Sequence, residues 1–319
     1  MKTLFQNLAI LSLAAASSSL AIAAKCDRAC LDQTVDNYVA AIVAHDPAKV
    51  NFAADVKFVE NTEPMKPGDG LWKTAAEGPT TFKIYVPDPV AQQVGFMCMM
   101  KEHDKDGAEK PIQFGLRLKL KDGKIVEAEH LIARGLMDRS LKNLETPRPA
   151  FSATVPPADR TPRDKMLKIG ESYYTALVTA DANHAPFADD CVRRENGMQT
   201  TGNPPSKTPG IGQTGALGCE AQLKTHTFDY ITRIEPRRVW IADPETGLVF
   251  GLSQFRQPME KDYVNIVGVP GTDKIELKIK PFDLPAAHIF KIYDGKMHEI
   301  EAMGFVMPYN SKTGWETTK

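Results

Sequence analysis

The strongest constraint in this 319-residue chain is that it states one pattern twice. Residues 36–61 read DNYVAAIVAHDPAKVNFAADVKFVEN, and residues 171–196 read ESYYTALVTADANHAPFADDCVRREN. Without a gap, Tyr38 falls on Tyr173, Asp46 on Asp181, Phe52 on Phe187, Asp55 on Asp190, and Glu60-Asn61 on Glu195-Asn196. Later, Pro87-Asp88-Pro89 is answered by Ala242-Asp243-Pro244, and DGKIVEAE at 122–129 by DGKMHEIE at 294–301. The copies are offset by 135 residues (173 − 38). That is far beyond the roughly 20–50 residues of a solenoid unit, so the pattern is a duplicated domain.

Each copy runs through its elements in one order. Leu31, Val35, Val39, Ile42 and Val43 recur at helical spacing, and His45-Asp46-Pro47 ends that helix because proline cannot continue it. A short helical segment at 48–54 follows. Strand-like runs come next at 56–60, 83–86, 93–101, 112–120 and 125–133, with Asp122-Gly123 as a hairpin turn. The second copy predicts a helix at 166–179 and strands at 192–196, 238–242, 248–254, 287–293 and 297–305. It adds insertions near 197–230 and 260–285, the latter holding a hairpin that turns at Pro270-Gly271-Thr272-Asp273. Long insertions of this kind rim or cover a site, or cover an interface. Pro147, Pro149, Pro156, Pro157 and Pro162 predict a semi-stiff linker. The expected plan is a signal peptide at 1–24, a first domain at 25–144, a linker at 145–164 and a second domain at 165–319. Helix, short helix, then curved antiparallel sheet is the order of an α+β cone.

Composition narrows the class. Lys2, the apolar run at 8–16 and Ala21-Ile22-Ala23 read as a secretory signal. The run is too short for the roughly 20 residues of a membrane span. The mature chain is therefore expected to be secreted or periplasmic, with no membrane insertion. Lys and Arg number 39 against 40 Asp and Glu, spread along the chain, which removes the basic footprint of a nucleic-acid binder. An oxidising compartment permits disulfides. Cys191 and Cys219 flank the first insertion and are expected to be bonded. Cys26 and Cys30 are left as a pair or as free thiols, and Cys98, within FMCMM, reads as a buried thiol. No Cys or His cluster has metal-ligand spacing, so no metal is expected.

On its element order, and on the phrases YVAAIVAHDPAKVNFAADVKFVEN and LRLKLKDGKIVEAEHLIAR, the chain resembles the nuclear transport factor 2-like superfamily. That group includes SnoaL-like polyketide cyclases, ketosteroid isomerase and scytalone dehydratase. GDGLW, ENGMQTTGNP, DPETGLVF and MPYNSKTGW resemble, more narrowly, secreted fungal and bacterial tandem proteins whose domain has no assigned function. The superfamily resemblance implies two tandem cystatin-like cones, each with helices packed on a curved sheet and a pocket at its open end. It also implies proton transfer by an Asp, His or Tyr without cofactor. The same fold serves elsewhere as a binding or dimerising module.

The candidate residues follow from strand alternation and polarity. Val56, Phe58 and Glu60 share one strand face. If Phe58 points inward then Glu60 does too, as a general base, against the plain reading in which Asn61 caps the following turn and Glu60 pairs with a neighbouring Lys or Arg. His130 is the natural proton shuttle, confined to the first copy because Ala302 stands at the matching place; the plain reading is an exposed histidine. Arg193 replaces Phe58 in the second copy and needs a carboxylate, either Glu301 or a ligand. Catalytic candidates are Glu195, Glu301, His130 and Glu60. Arg193, Arg238, Asn196, Tyr173, Tyr38 and Trp72 are candidates for binding substrate, Trp72 at a rim. Three functions fit: an exported cofactor-independent lyase, hydratase or isomerase acting on a small organic or carbohydrate-derived molecule; a small-ligand binder without turnover; or a structural module with both cones filled. The expected assembly is an intrachain pseudo-dimer, as monomer or homodimer.

Overall fold

The structure, a computed structural model, describes residues 25–207 and 210–316. The signal-peptide reading falls on residues outside these. The first half holds α1 (Arg28–Val43), β1 (Phe52–Glu60), β2 (Glu63–Met65), the single turn α2 (Leu71–Thr74), β3 (Ala75–Glu77), β4 (Lys83–Asp88), β5 (Gln93–His103), β6 (Glu109–Lys121) and β7 (Lys124–Ala133). After α3 (Asp138–Asn143), the second half holds α4 (Arg163–Thr179), β8 (Phe187–Glu195), β9 (Met198–Gln199), α5 (Ile211–Thr214), α6 (Cys219–Lys224), β10 (Arg233–Asp243), β11 (Leu248–Gln257), the hairpin β12 (Tyr263–Asn265) and β13 (Lys274–Glu276), β14 (Phe282–Tyr293), β15 (Lys296–Gly304) and β16 (Met307–Pro308).

The two large sheets share one plan. The first runs β2-β1-β7-β6-β5-β3 with β4 beside β5, and the second β10-β11-β14-β15-β8-β9 with β16 beside β14. In each, the strand after the first helix lies parallel to the last long strand, β1 on β7 and β8 on β15, and the remaining pairs are antiparallel. Each is an α+β cone: the helix lies in the concave face of a curled sheet. Leu31, Val35, Tyr38, Val39 and Ile42 are the buried stripe of α1, at the spacing that predicted it.

The opposite faces of the sheets meet. Ile84, Val86, Met97 and Leu131 of the first pack with Ile241, Phe250, Leu252, Ile289 and Met303 of the second. Gly95 permits the approach, because a Cβ there would lie 2.3 Å from the Phe250 ring. Two of the polar contacts between the cones are reciprocal. Arg28, opening α1, pairs with Asp243 at 2.6 Å, and Arg163, opening α4, pairs with Asp88 at 2.7 Å. The two arginines are separated by 135 residues (163 − 28), the same offset as the duplicated segments. The two aspartates are the echoed ones.

The proline-rich connection is docked, which its composition did not predict. Arg148 donates to the carbonyls of Val192 and Ile300 at 3.2 and 2.7 Å, pairs with Glu299 and Glu301, and stacks on Phe151. The disulfides are Cys26–Cys30 and Cys191–Cys219, and Cys98 is a buried free thiol. No helix among the described residues is long and apolar enough to cross a membrane.

Candidate active site in the second cone

Inside the first cone, β1 and β7 bring Glu60 opposite His130. His130 Nδ1 lies 3.0 Å from Glu60 Oε2, and its Nε2 lies 2.9 Å from the Tyr38 hydroxyl. The Leu71 N–H donates to both Glu60 oxygens at 3.1 and 3.0 Å. All three side chains are buried, so the reading of His130 as exposed is overturned. The chain of groups looks reactive, but it is walled in. Phe58 and Phe114 press edge-on against the imidazole with centroids 4.7 and 4.9 Å away, and Trp72 stands edge-on to Tyr38 at 5.3 Å. Trp72, expected at a rim, is 1% exposed and is part of this filling.

Register explains why the second cone opens. Leu116 faces His130 across β6 and β7, while His288 faces Ala302 across β14 and β15. The histidine has moved one strand over. Two residues along, Phe114 opposite Ile132 becomes Ala286 opposite Gly304. Three large side chains are thereby lost from one end of the cone (His130, Phe114 and Ile132), and only Leu116→His is gained at the same four places. A chamber of about 160 Å³ results, lined by Tyr173, Phe228, Tyr230, Phe255, Phe282 and His288 among others. A cavity of about 150 Å³ lined by apolar side chains accepts benzene, so this chamber has room for about one six-membered ring.

Its polar groups are few and fixed. His288 is 4% exposed; its Nδ1 lies 3.2 Å from the Tyr174 hydroxyl, and Nε2 has no hydrogen-bond partner among the described residues. Burial, with the nearby Arg193 cation adding to it, pushes His288 down to about 3, so the ring is neutral at ordinary pH. Arg193 is buried over the Phe228 ring, and its Nη2 donates to Gln222 at 2.6 Å. Its Nε lies 3.0 Å from Thr200 Oγ1 and 2.7 Å from Glu195 Oε1. Glu195 is half exposed at the mouth. Burial raises Tyr173, and it raises Tyr230 to about 12, so both phenols stay protonated.

Beyond the mouth the cavity widens into a vestibule of about 760 Å³, which shares Arg193, Glu195, Phe228 and Tyr230 with the chamber. Its walls come from the insertion after β8, from Glu276, Leu277 and Ile279 at the hairpin's end, and from Arg139 and Asn143 of α3. The two insertions of the second copy thus do form a rim.

Several candidates fall elsewhere. Glu301 pairs across β15 and β8 with Arg194, not Arg193, and so points to the other face of the sheet. There it meets Arg148 at 3.2 Å, and burial pushes it up to about 7 despite the arginines. The bridge expected between Arg193 and Glu301 is replaced by Arg193–Glu195. Arg238 also lies between the cones, with two hydrogen bonds of 2.6 Å to Glu129. Asn196 borders the chamber, but its amide is engaged: Nδ2 donates to the Gly304 carbonyl and Oδ1 accepts from the Gly304 N–H, both at 2.9 Å. Asn61 clamps Ile132 in the same way, which accounts for the repeated asparagine. Tyr174 and His288 were missed because they are 114 residues apart and carry no motif.

Fold and site together define a class: paired α+β cones, one whose inner polar groups are buried among aromatic side chains and one holding a small, largely apolar chamber. Residues 159–304 match a family described as "Domain of unknown function (DUF8021)". No curated protein matches the chain. Among solved structures, it is similar to an NTF2-like protein from Burkholderia thailandensis (19% identity, 32% of this chain and 88% of the other, TM-score 0.25). It is likewise similar to an NTF2-like protein from Cytophaga hutchinsonii (14%, 33% and 98%, TM-score 0.26). A third is a protein of ketosteroid isomerase-like fold from Catenulispora acidiphila, in complex with trimethylamine (16%, 31% and 83%, TM-score 0.26). The cone is defined by this chain's own strand order, with the strand after each first helix parallel to the last long strand of its sheet.

Proposed function

We propose that the chain is an exported, cofactor-independent enzyme that performs acid–base chemistry on a small ring-bearing molecule held in the second cone. Its two units, 25–144 and 165–319, are nuclear transport factor 2-like cones fused as an intrachain dimer. The observation that carries this reading is the placement of a buried, neutral histidine and an arginine-oriented carboxylate on one ring-sized chamber. Glu195, held by Arg193 Nε, is the proton acceptor at the mouth. Here the Tyr174 hydroxyl is assigned as donor to Nδ1, a direction that the 3.2 Å contact permits and that would place the proton of the neutral His288 imidazole on Nε2. That N–H is a preorganised donor for an oxygen that gains charge as the substrate loses a proton. Isomerisation, elimination and hydration all share that first step.

The test is solvent-deuterium incorporation into a panel of cyclic enones and cyclic 1,3-diketones, followed by NMR. The wild-type protein should accelerate exchange of at least one of them. Glu195→Gln should slow it by about 10²-fold or more, the usual worth of a positioned base. Equal exchange in the variant and the wild type would sink the reading. A second reading, a binder without turnover, is favoured by the Arg193–Glu195 contact itself, which occupies the carboxylate. It is upheld if ring compounds bind but none exchanges.

A further inference from the structure

We infer that the vestibule is a second subsite, and that Arg139 makes it selective for a ligand whose ring enters the chamber and whose outer arm ends in a carboxylate. This rests on the chamber holding a ring, as proposed above. The charged side chains lining the vestibule are Arg139, Arg193, Glu195 and Glu276. Arg193 and Glu195 satisfy one another at 2.7 Å, and Glu276 is paired with Lys278 at 2.7 Å. Arg139 is left over. Its hydrogen-bond contacts are the thioether sulfurs of Met198 at 3.3 Å and Met137 at 3.6 Å, weak acceptors that carry no charge. Among the described residues it has no carboxylate within ion-pair distance. The vestibule therefore presents one fork-shaped cation without an ion-pair partner, suited to donating two parallel hydrogen bonds to a carboxylate.

Arg193 is unsuited to that task. Its Nε and Nη2 are already committed, and a second anion would compete with Glu195. Volume points the same way: about 160 Å³ takes one ring, and about 760 Å³ beyond the mouth takes a flexible arm. Arg139 belongs to α3, in the connection between the cones. That helix is held to the rim by Asn143, which donates to the Gly197 carbonyl at 2.8 Å. The connection thus supplies a specificity-determining side chain to a pocket whose chamber lies wholly in the second cone.

Calorimetric titration of the full chain with three probes tests this: phenol, 6-phenylhexanoate and 6-phenylhexan-1-ol. The acid should bind about threefold to fivefold tighter than the alcohol, the upper range for an exposed ion pair, and added salt should reduce the gap. Arg139→Gln should abolish the difference and leave phenol binding unchanged, while Arg139→Lys should restore part of it. Acid and alcohol binding alike to the wild type, or a preference that survives Arg139→Gln, overturns the inference while phenol binding keeps the chamber reading intact. Failure of all three probes to bind overturns both.

Discussion

Single residues already couple this fold to pH, in opposite senses. His288 is held down to about 3, against an ordinary value of 6.5 in the unfolded chain. Between those values the unfolded chain carries a proton that the folded one refuses. The stability this group supports is whole above pH 6.5 and falls as pH drops towards 3, by about 1.4 kcal/mol per unit. Urea midpoints taken from pH 7 to pH 4 should decline, and His288→Gln should flatten that limb; an unchanged slope would refute the assignment. Glu301 has the other sign. Its folded value is up to about 7, so its contribution is present below pH 4.5 and is lost as pH rises through 7. The stability of Glu301→Gln relative to wild type should improve between pH 5 and pH 8 by about 1–3 kcal/mol. The sequence showed the polar residues but not their facing. Glu195 ends β8 and Glu301 lies within β15; only the register, Ala302 with Glu195 and Arg194 with Glu301, tells which looks into the cone.

At the scale of elements, period and punctuation were enough to place the long helices and strands, since α1 and α4 present apolar stripes and the hairpins turn at Asp-Gly. What they could not show is docking. Prolines 147–162 report stiffness, while the attachment comes from Arg148 reaching the backbone of β8 and β15, partners far away in sequence. The insertion after β8 depends on its own staple. Cys191–Cys219 closes a separation of 28 residues and ties β8 to α6, whose Gln222 holds Arg193. Replacing both cysteines with serine should cost about 3 kcal/mol by loop entropy and lower the melting temperature. It should also weaken phenol binding at temperatures where the fold persists, because Arg193 loses its support. Unchanged binding would show the rim to be held without the bond.

The whole molecule is organised by a repeated interface. Arg28–Asp243 and Arg163–Asp88 are one contact made twice, and the duplicated ADP and PDP phrases were its trace in the sequence. The centre of the interface was not legible, because its apolar side chains come from strands buried on both faces, where alternation vanishes. Between the cones, Arg238 shares Glu129 with Arg117, and Glu129 is 3% exposed. Arg238→Ala should destabilise the protein by about 1–3 kcal/mol, the cost of stripping a buried acceptor of one partner. Chemical denaturation should show the loss, and Glu129→Gln in the same background should recover part of it; no recovery would place the cost elsewhere. The one-strand displacement of the histidine also means that the two halves hold complementary versions of a single lattice. Leu116 and His130 in one stand where His288 and Ala302 stand in the other. Conversion between a plugged cone-end and a hollow one is then a matter of a few exchanged side chains on a shared strand plan, to which the second copy adds its insertions, and a duplicated gene can keep one half as ballast while the other is free to explore new guests.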